Sequence, residues 1–218
     1  MDKEFREDIT KIFTDSKKNE NSLFELEKFC DKYSMSEDFK KLKKNILLQK
    51  CGILTNLKRF KEALQIIESL LIETKKTDVA LFNLLSAKID IYIKMGKTKK
   101  AKTLIGECLD GEIIFNENEN LIFLKKLEEL CTPQLIDQKY DALIQKIIYF
   151  LGFKESTVDL NINEVVHLVY NINLTSGKAY TKLMLDWHSS DVSNKKELVE
   201  EYIQKEKLEY YREMALAL

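Results

Sequence analysis

Two histidines are the first residues to weigh for chemistry, because imidazole changes charge near neutral pH without outside help. His188 closes the group Asp186-Trp187-His188, where a carboxylate beside an imidazole would orient it as a general base. On a helix, however, side chains at i and i+2 point about 200° apart. The spacing therefore predicts a packed Trp187 and a His188 that acts as a favourable cation at a helix C-terminus. His167, between Val166 and Leu168, reads as a half-buried core residue rather than a ligand. Cys30, Cys51, Cys108 and Cys131 lie far apart with no CxxC pair, which points to reduced, buried thiols and not to a zinc site or disulfide framework. Glycine-rich phosphate loops, GxSxG and HExxH are missing from the sequence. No catalytic residue, metal ligand or cofactor is assigned, and the chain reads as a non-enzyme. Carboxylates that converge only in three dimensions stay open as an alternative.

Binding chemistry has better candidates. Lys94, Lys97, Lys99, Lys100 and Lys102 surround one turn with no acidic residue among them. Such a cluster contacts phosphates or an acidic partner, or else is a solvated hairpin tip. No aromatic residue that would stack on bases is interleaved with it. A second basic group, Lys40, Lys41, Lys43 and Lys44, would lie near the first if consecutive hairpins stack, while Asp110, Glu112, Glu117 and Glu119 form an acidic stretch. Two zones of opposite charge would steer a charged protein partner. Near the C-terminus, Tyr210 and Tyr211 either border one wide apolar stripe or split between core and surface. An exposed tyrosine there would serve as a partner anchor.

The elements that must position these groups are helices. Only six glycines and one proline occur in 218 residues, too few for the turns of a β-sandwich or barrel. Hydrophobic residues at 44% and charged residues at 33% suit a folded chain, and a formal charge of −1 gives no global attraction to nucleic acid or an acidic membrane. The start, Met1-Asp2-Lys3-Glu4, has no apolar run behind it, and no window approaches a membrane span. A cytoplasmic location is the expectation.

Apolar residues recur at three- and four-residue steps and predict about eleven helices. Ser22 with Glu25 reads as a capping box, Ser36 and Thr77-Asp78 as further helix starts, and Gly96 and Gly152 as stops. Residues 110–120 read as a polar hinge between helical hairpins at 1–109 and a helical region at 121–218, unless the whole is one continuous domain. Pro133 suits the first turn of an eighth helix, the most apolar and the one expected to be most buried. Residues 153–163 read as an extended connector. Three last helices are expected at 164–171, at 176–188, and at 195–217 behind a Ser193 cap. Short links force successive helices antiparallel, so the predicted fold is all-α, antiparallel helical hairpins stacked as a short α-solenoid.

Two hairpins over roughly residues 40–110 carry a family signature. Leu47, Cys51, Leu54, Phe60, Ala63, Ile67 and Leu70 form one set, and Leu85, Ile89, Tyr92, Gly96, Ala101, Ile105 and Cys108 the other. This region resembles a degenerate tetratricopeptide repeat. Ala63 and Ala101, 38 positions apart, take the place of the small residue that lets paired helices approach. The usual period is about 34; Lys50 and Lys88 stand where the motif has leucine, and Lys75 and Ile113 where it has proline. The resemblance implies protein or peptide binding on a curved face. The leading expectation is a non-enzymatic protein-binding helical-repeat protein, with an inhibitor or immunity protein that neutralises a toxin or nuclease as one concrete role. A peptide-sensing regulator and a nucleic-acid-associated helical protein are the alternatives.

Overall fold

The computed structural model describes residues 2–14, 18–78, 80–111, 113–154, 157 and 159–218. Among these it contains eleven α-helices, one 3₁₀ turn and no strand. The chain divides into two compact units, Met1–Glu107 with Gly111–Ile113, and Cys108–Asp110 with Ile114–Leu218.

The first unit holds α1 (Lys3–Thr14), α2 (Glu20–Tyr33), α3 (Glu37–Asn56), α4 (Phe60–Ile72), α5 (Ala80–Lys94) and most of α6 (Thr98–Asp110). Each of α1 to α4 packs on its successor, and α3 also packs on α5. Cross-helix ion pairs fix the direction of each neighbour. Lys32, at the end of α2, reaches Glu4 and Asp8 at the start of α1, at 2.7 and 2.9 Å. Lys43, near the start of α3, faces Glu73 just past the end of α4 at 3.9 Å. Both pairs require antiparallel neighbours. The expected stack of hairpins is observed.

Burial follows the helical stripes. Phe5, Phe29, Tyr33 and Phe39 form an aromatic cluster with neighbouring ring centroids 4.8–6.4 Å apart. Ile46, Leu54, Ile67, Leu84 and Ile89 are almost wholly buried. Ala63 and Ala101 have no exposed surface, and Cys51 Sγ donates to the Ala63 carbonyl at 3.6 Å, so a small side chain does bring α3 and α4 together. That burial pushes the Cys51 thiol up to about 12 and makes it a packing group, not a nucleophile.

The second unit holds α7 (Glu117–Cys131), the 3₁₀ turn Gln138–Tyr140, α8 (Asp141–Leu151), α9 (Ile162–Ser189), α10 (Val192–Lys205) and α11 (Glu209–Leu216). The long α9 is its spine and packs against α7, α8, α10 and α11. The segments expected at 164–171 and 176–188 are one helix, and the single helix expected at 195–217 is two. Eleven is thus the right number reached through two errors that cancel.

Caps explain several other shifts. α2 begins behind Asn19, whose side chain accepts from the Ser22 amide at 3.0 Å; Ser22 is the answering residue of that box and not the cap. Ser36 does cap α3, accepting from the Phe39 amide at 3.1 Å. Asn161 opens α9 with a box to Glu164. α10 begins at Val192 behind Asp191, so Ser193 lies inside its first turn. Pro133 lies in the connection after α7 and outside α8. α8 has the highest mean hydropathy of the helices, but only Ile144, Ile147 and Leu151 are buried, and Tyr149 is 88% exposed. In the connector, Leu160 is an exposed link; Val158 lies outside the described residues.

Two glycines are required by geometry. Gly96 adopts φ +70° after α5 and Gly152 φ +61° after α8, a region where only glycine sits without strain. A Cβ on Gly152 would also come within 2.4 Å of the Glu209 Cβ, so glycine there lets α11 approach α8.

Within residues 110–120, where the two units meet in sequence, the start of α7 is capped. Asn116 accepts from the Glu119 amide and Glu119 accepts from the Asn116 amide, both at 2.9 Å. Asn120 donates to the Phe115 carbonyl at 3.0 Å, and Phe115 is buried edge-on against Phe123, with centroids 5.2 Å apart. Replacing Asn116 with alanine removes one of these caps. It is expected to lower the stability of the second unit by about 1 kcal/mol, read from the urea midpoint at unchanged slope.

Candidate functional site

The lysine cluster surrounds the hairpin between α5 and α6, and the fold selects from it. One stripe of α5 (Lys88, Tyr92), Gly96 just past its end, and one stripe of α6 (Lys100, Thr103, Leu104, Glu107) border a common open cleft of about 690 Å³. The steps are i, i+4 on one helix and i, i+3, i+4, i+7 on the other, so each stripe is a single helix face. Lys97, Thr98 and Lys99 complete the cleft at the hairpin tip.

Lys97, Lys99 and Lys100 therefore gather on the cleft. Lys94 does not line it: its Nζ donates to the Asn56 side chain at 3.0 Å. Lys102 is half-buried and outside the lining. Among the described residues, Lys97, Lys99, Lys100 and Lys102 form no ion pair. The second basic group offers a contrast. Lys40 holds Glu37 at 2.6 Å, Lys43 faces Glu73, and Lys44 is paired with Asp78. Those three charges are engaged within the fold, whereas Lys41 is exposed with no ion pair to a described residue.

The expected acidic zone is likewise engaged. Asp110 pairs with Lys139, Glu117 pairs with Lys146 at 3.0 Å, and Glu119 belongs to the cap of α7. Lys146 beside Glu117 holds that carboxyl below the ordinary glutamate range. Glu112 lies outside the described residues.

Apolar and aromatic surface was the part of the cleft that sequence reading missed. Tyr92, expected at a repeat packing position, and Leu104 are both only half-buried and line the opening. Lys100 Nζ stands 5.9 Å from the Tyr92 ring centroid, at the outer edge of a cation–π contact. Lys88 is held by Glu68 at 3.4 Å, which leaves Glu107 as the acidic group at the far end. A signal for this did exist. The faces 88/92/96 and 100/103/104/107 repeat at helical spacing, beside the buried stripes through Leu85, Ile89, Ala101 and Ile105.

The other candidates resolve into packing. Tyr211 is buried, and its hydroxyl meets the Asn173 side chain at 3.1 Å. Tyr210 is half-buried with its ring 4.8 Å from that of Phe150. The pair splits between core and margin. His188 is exposed in the last turn of α9, where imidazolium favours the helix dipole, and Lys195 Nζ covers the Trp187 ring at 3.9 Å. His167 is exposed, unlike the expected core residue, because the buried face of α9 runs through Val165, Val166 and Val169. Among the described residues, no three His, Cys, Asp or Glu side chains gather as a metal site, and no helix is long and apolar enough to cross a membrane.

No protein-family model, no curated protein and no solved structure matches the chain.

Proposed function

We propose that this chain is a non-enzymatic binding protein that holds a protein partner through the α5–α6 cleft. The observation that carries the reading is the set of lysines at positions 97, 99 and 100, unpaired among the described residues and rimming half-buried apolar surface. Several other lysines of the first unit are neutralised by carboxylates, among them Lys32, Lys40, Lys44 and Lys50. Positive charge beside exposed apolar area is the composition of a surface for an acidic protein.

The tetratricopeptide likeness adds support at the level of architecture. α3 packs on both α4 and α5, and α4 on α5, the neighbour pattern of stacked two-helix repeats. Within that class, capture that inactivates a toxin or nuclease is the concrete role we put forward, because inhibition by direct binding needs a shaped surface and no reactive centre. The cytoplasm is the compartment that four free cysteines favour.

A phosphate backbone is the second class of ligand such lysines attract, but the lysines of the cleft surround one short opening and the formal net charge is −1. Extended nucleic acid needs a longer basic track. The test is immobilisation of the chain in a lysate of its source cells, beside a variant with Lys97, Lys99 and Lys100 changed to glutamate. A protein retained by the first and lost by the second, whose own activity falls on stoichiometric mixing, is the expected result. Retention that is equal for both, or of no protein at all, contradicts the reading.

A further inference from the structure

The cleft has a direction, and that direction defines its occupant. At the hairpin tip stand Lys97, Lys99 and Lys100; midway lie Tyr92 and Leu104; at the far end is Glu107. From Lys100 to Glu107 the α6 face rises about 10 Å, two helical turns. α6 itself begins behind Lys97 with no side-chain cap, so its first amide groups and dipole add to the positive potential at the tip. Lys88, which would otherwise place a cation opposite Glu107, is already held by Glu68.

We infer that the cleft takes a two-turn amphipathic helix of the partner with a fixed charge order. Its acidic residues meet the tip, an apolar side chain three or four positions on covers Tyr92 and Leu104, and a lysine or arginine one turn further faces Glu107. The inference rests on the binding role proposed above and adds to it the class and order of the recognised segment. A groove between two helices suits a third helix, because ridges at i, i+3, i+4 and i+7 seat between the facing stripes. Charge order enters through both ends of the cleft. Like charges at either end repel, whereas apolar cover in the middle is indifferent to sequence direction.

The test uses the full chain and two short stapled helical peptides at low salt, read by fluorescence anisotropy. One peptide carries glutamates at one end, a central leucine and a lysine at the other end; the second carries glutamates at both ends. Lys99→Glu with Lys100→Glu is expected to weaken both peptides by about tenfold or more. Glu107→Lys is expected to weaken the first peptide and strengthen the second, each by about threefold. A Glu107→Lys effect of the same sign on both peptides, or none, overturns the charge order while leaving the binding role to the lysate experiment. Neither peptide binding at millimolar concentration overturns the helical occupant, and so does a single-stranded oligonucleotide that binds more tightly than both.

Discussion

Replacing Lys97, Lys99 and Lys100 together by glutamate is expected to lower affinity for the captured partner by roughly 100-fold without unfolding the chain. The magnitude follows from about 1 kcal/mol for each reversed charge that sits close to an opposite charge in a partly desolvated cleft. The fold is spared because all three side chains are exposed and form no ion pair with any described residue. Reversal therefore removes no internal contact beyond the distant approach of Lys100 to Tyr92. Association rate should fall more than dissociation rate rises, since exposed charges steer encounter. The wild-type advantage should shrink as salt shortens the Debye length below the roughly 10 Å of 0.1 M solution. Lys196→Glu, at an 86% exposed side chain in the second unit, supplies the control and should leave affinity unchanged. Surface plasmon resonance across a salt series reads all three variables together. Equal affinity of wild type and triple variant would place the binding surface elsewhere.

Glu206→Ala should destabilise the second unit by roughly 3–4 kcal/mol. Glu206 is 5% exposed and sits between α10 and α11. Its carboxylate accepts from the Ser176 hydroxyl at 2.6 Å, the Tyr202 hydroxyl at 2.9 Å and the Leu208 amide at 2.8 Å. Its carbonyl accepts from Arg212 Nε at 2.7 Å. Alanine leaves three buried or half-buried donors with no acceptor, and each such group costs about 1–3 kcal/mol. Glu206→Gln keeps the shape and two acceptor contacts while Tyr202 reorients, so its cost should be about 1 kcal/mol. Urea unfolding followed by the intrinsic fluorescence of Trp187 separates the two variants; equal costs would mean that the contacts are incidental.

The same network carries a pH dependence. Burial, with Glu206 beside it, holds the Tyr202 hydroxyl well above the ordinary tyrosine range. A proton bound more tightly in the folded state contributes stability that is complete below the unfolded tyrosine value near 10, and it is lost as pH rises toward the folded value. Alkaline pH should therefore weaken the second unit, and by less once Tyr202 is replaced with phenylalanine.

Glu206 also shows why the C-terminal helices were misread. Local pattern runs unbroken from Lys195 to Ala217 and carries no glycine or proline to stop a helix. The interruption comes from a tertiary contact: Ser176, 30 positions away, draws the carboxylate inward, and the Leu208 amide closes on it. Nothing within the segment encodes that. The opposite error, splitting α9, came from Asn171 to Gly177, whose polar and small residues weaken local helix propensity. Packing on four other helices overrides it.

What sequence did disclose was whatever depends on near neighbours. Six glycines and one proline dictate an all-helical chain, and apolar steps of three and four residues mark the helices of the first unit. Ser36, Gly96 and Gly152 announce themselves because caps and left-handed stops are local chemistry. Asparagine caps were overlooked in favour of serine, although Asn19, Asn116 and Asn161 each complete a box. For the cleft, the lysines were visible from composition alone. Which of them remain free was not, because pairing of Lys43 with Glu73 and Lys44 with Asp78 depends on the stacking of helices. Nor was the placement of Tyr92 and Leu104, since a half-buried stripe and a buried one have the same spacing.

Hydrogen–deuterium exchange on the chain alone and with its captured partner bears most directly on the claim that this protein works by gripping an acidic protein in its α5–α6 cleft. Slowed exchange at the tip and over the first turns of α6, around Gly96 to Leu104, with α9 to α11 unchanged, is the predicted pattern. Protection confined to the C-terminal helices, or a partner that leaves every amide of the hairpin untouched, would contradict it.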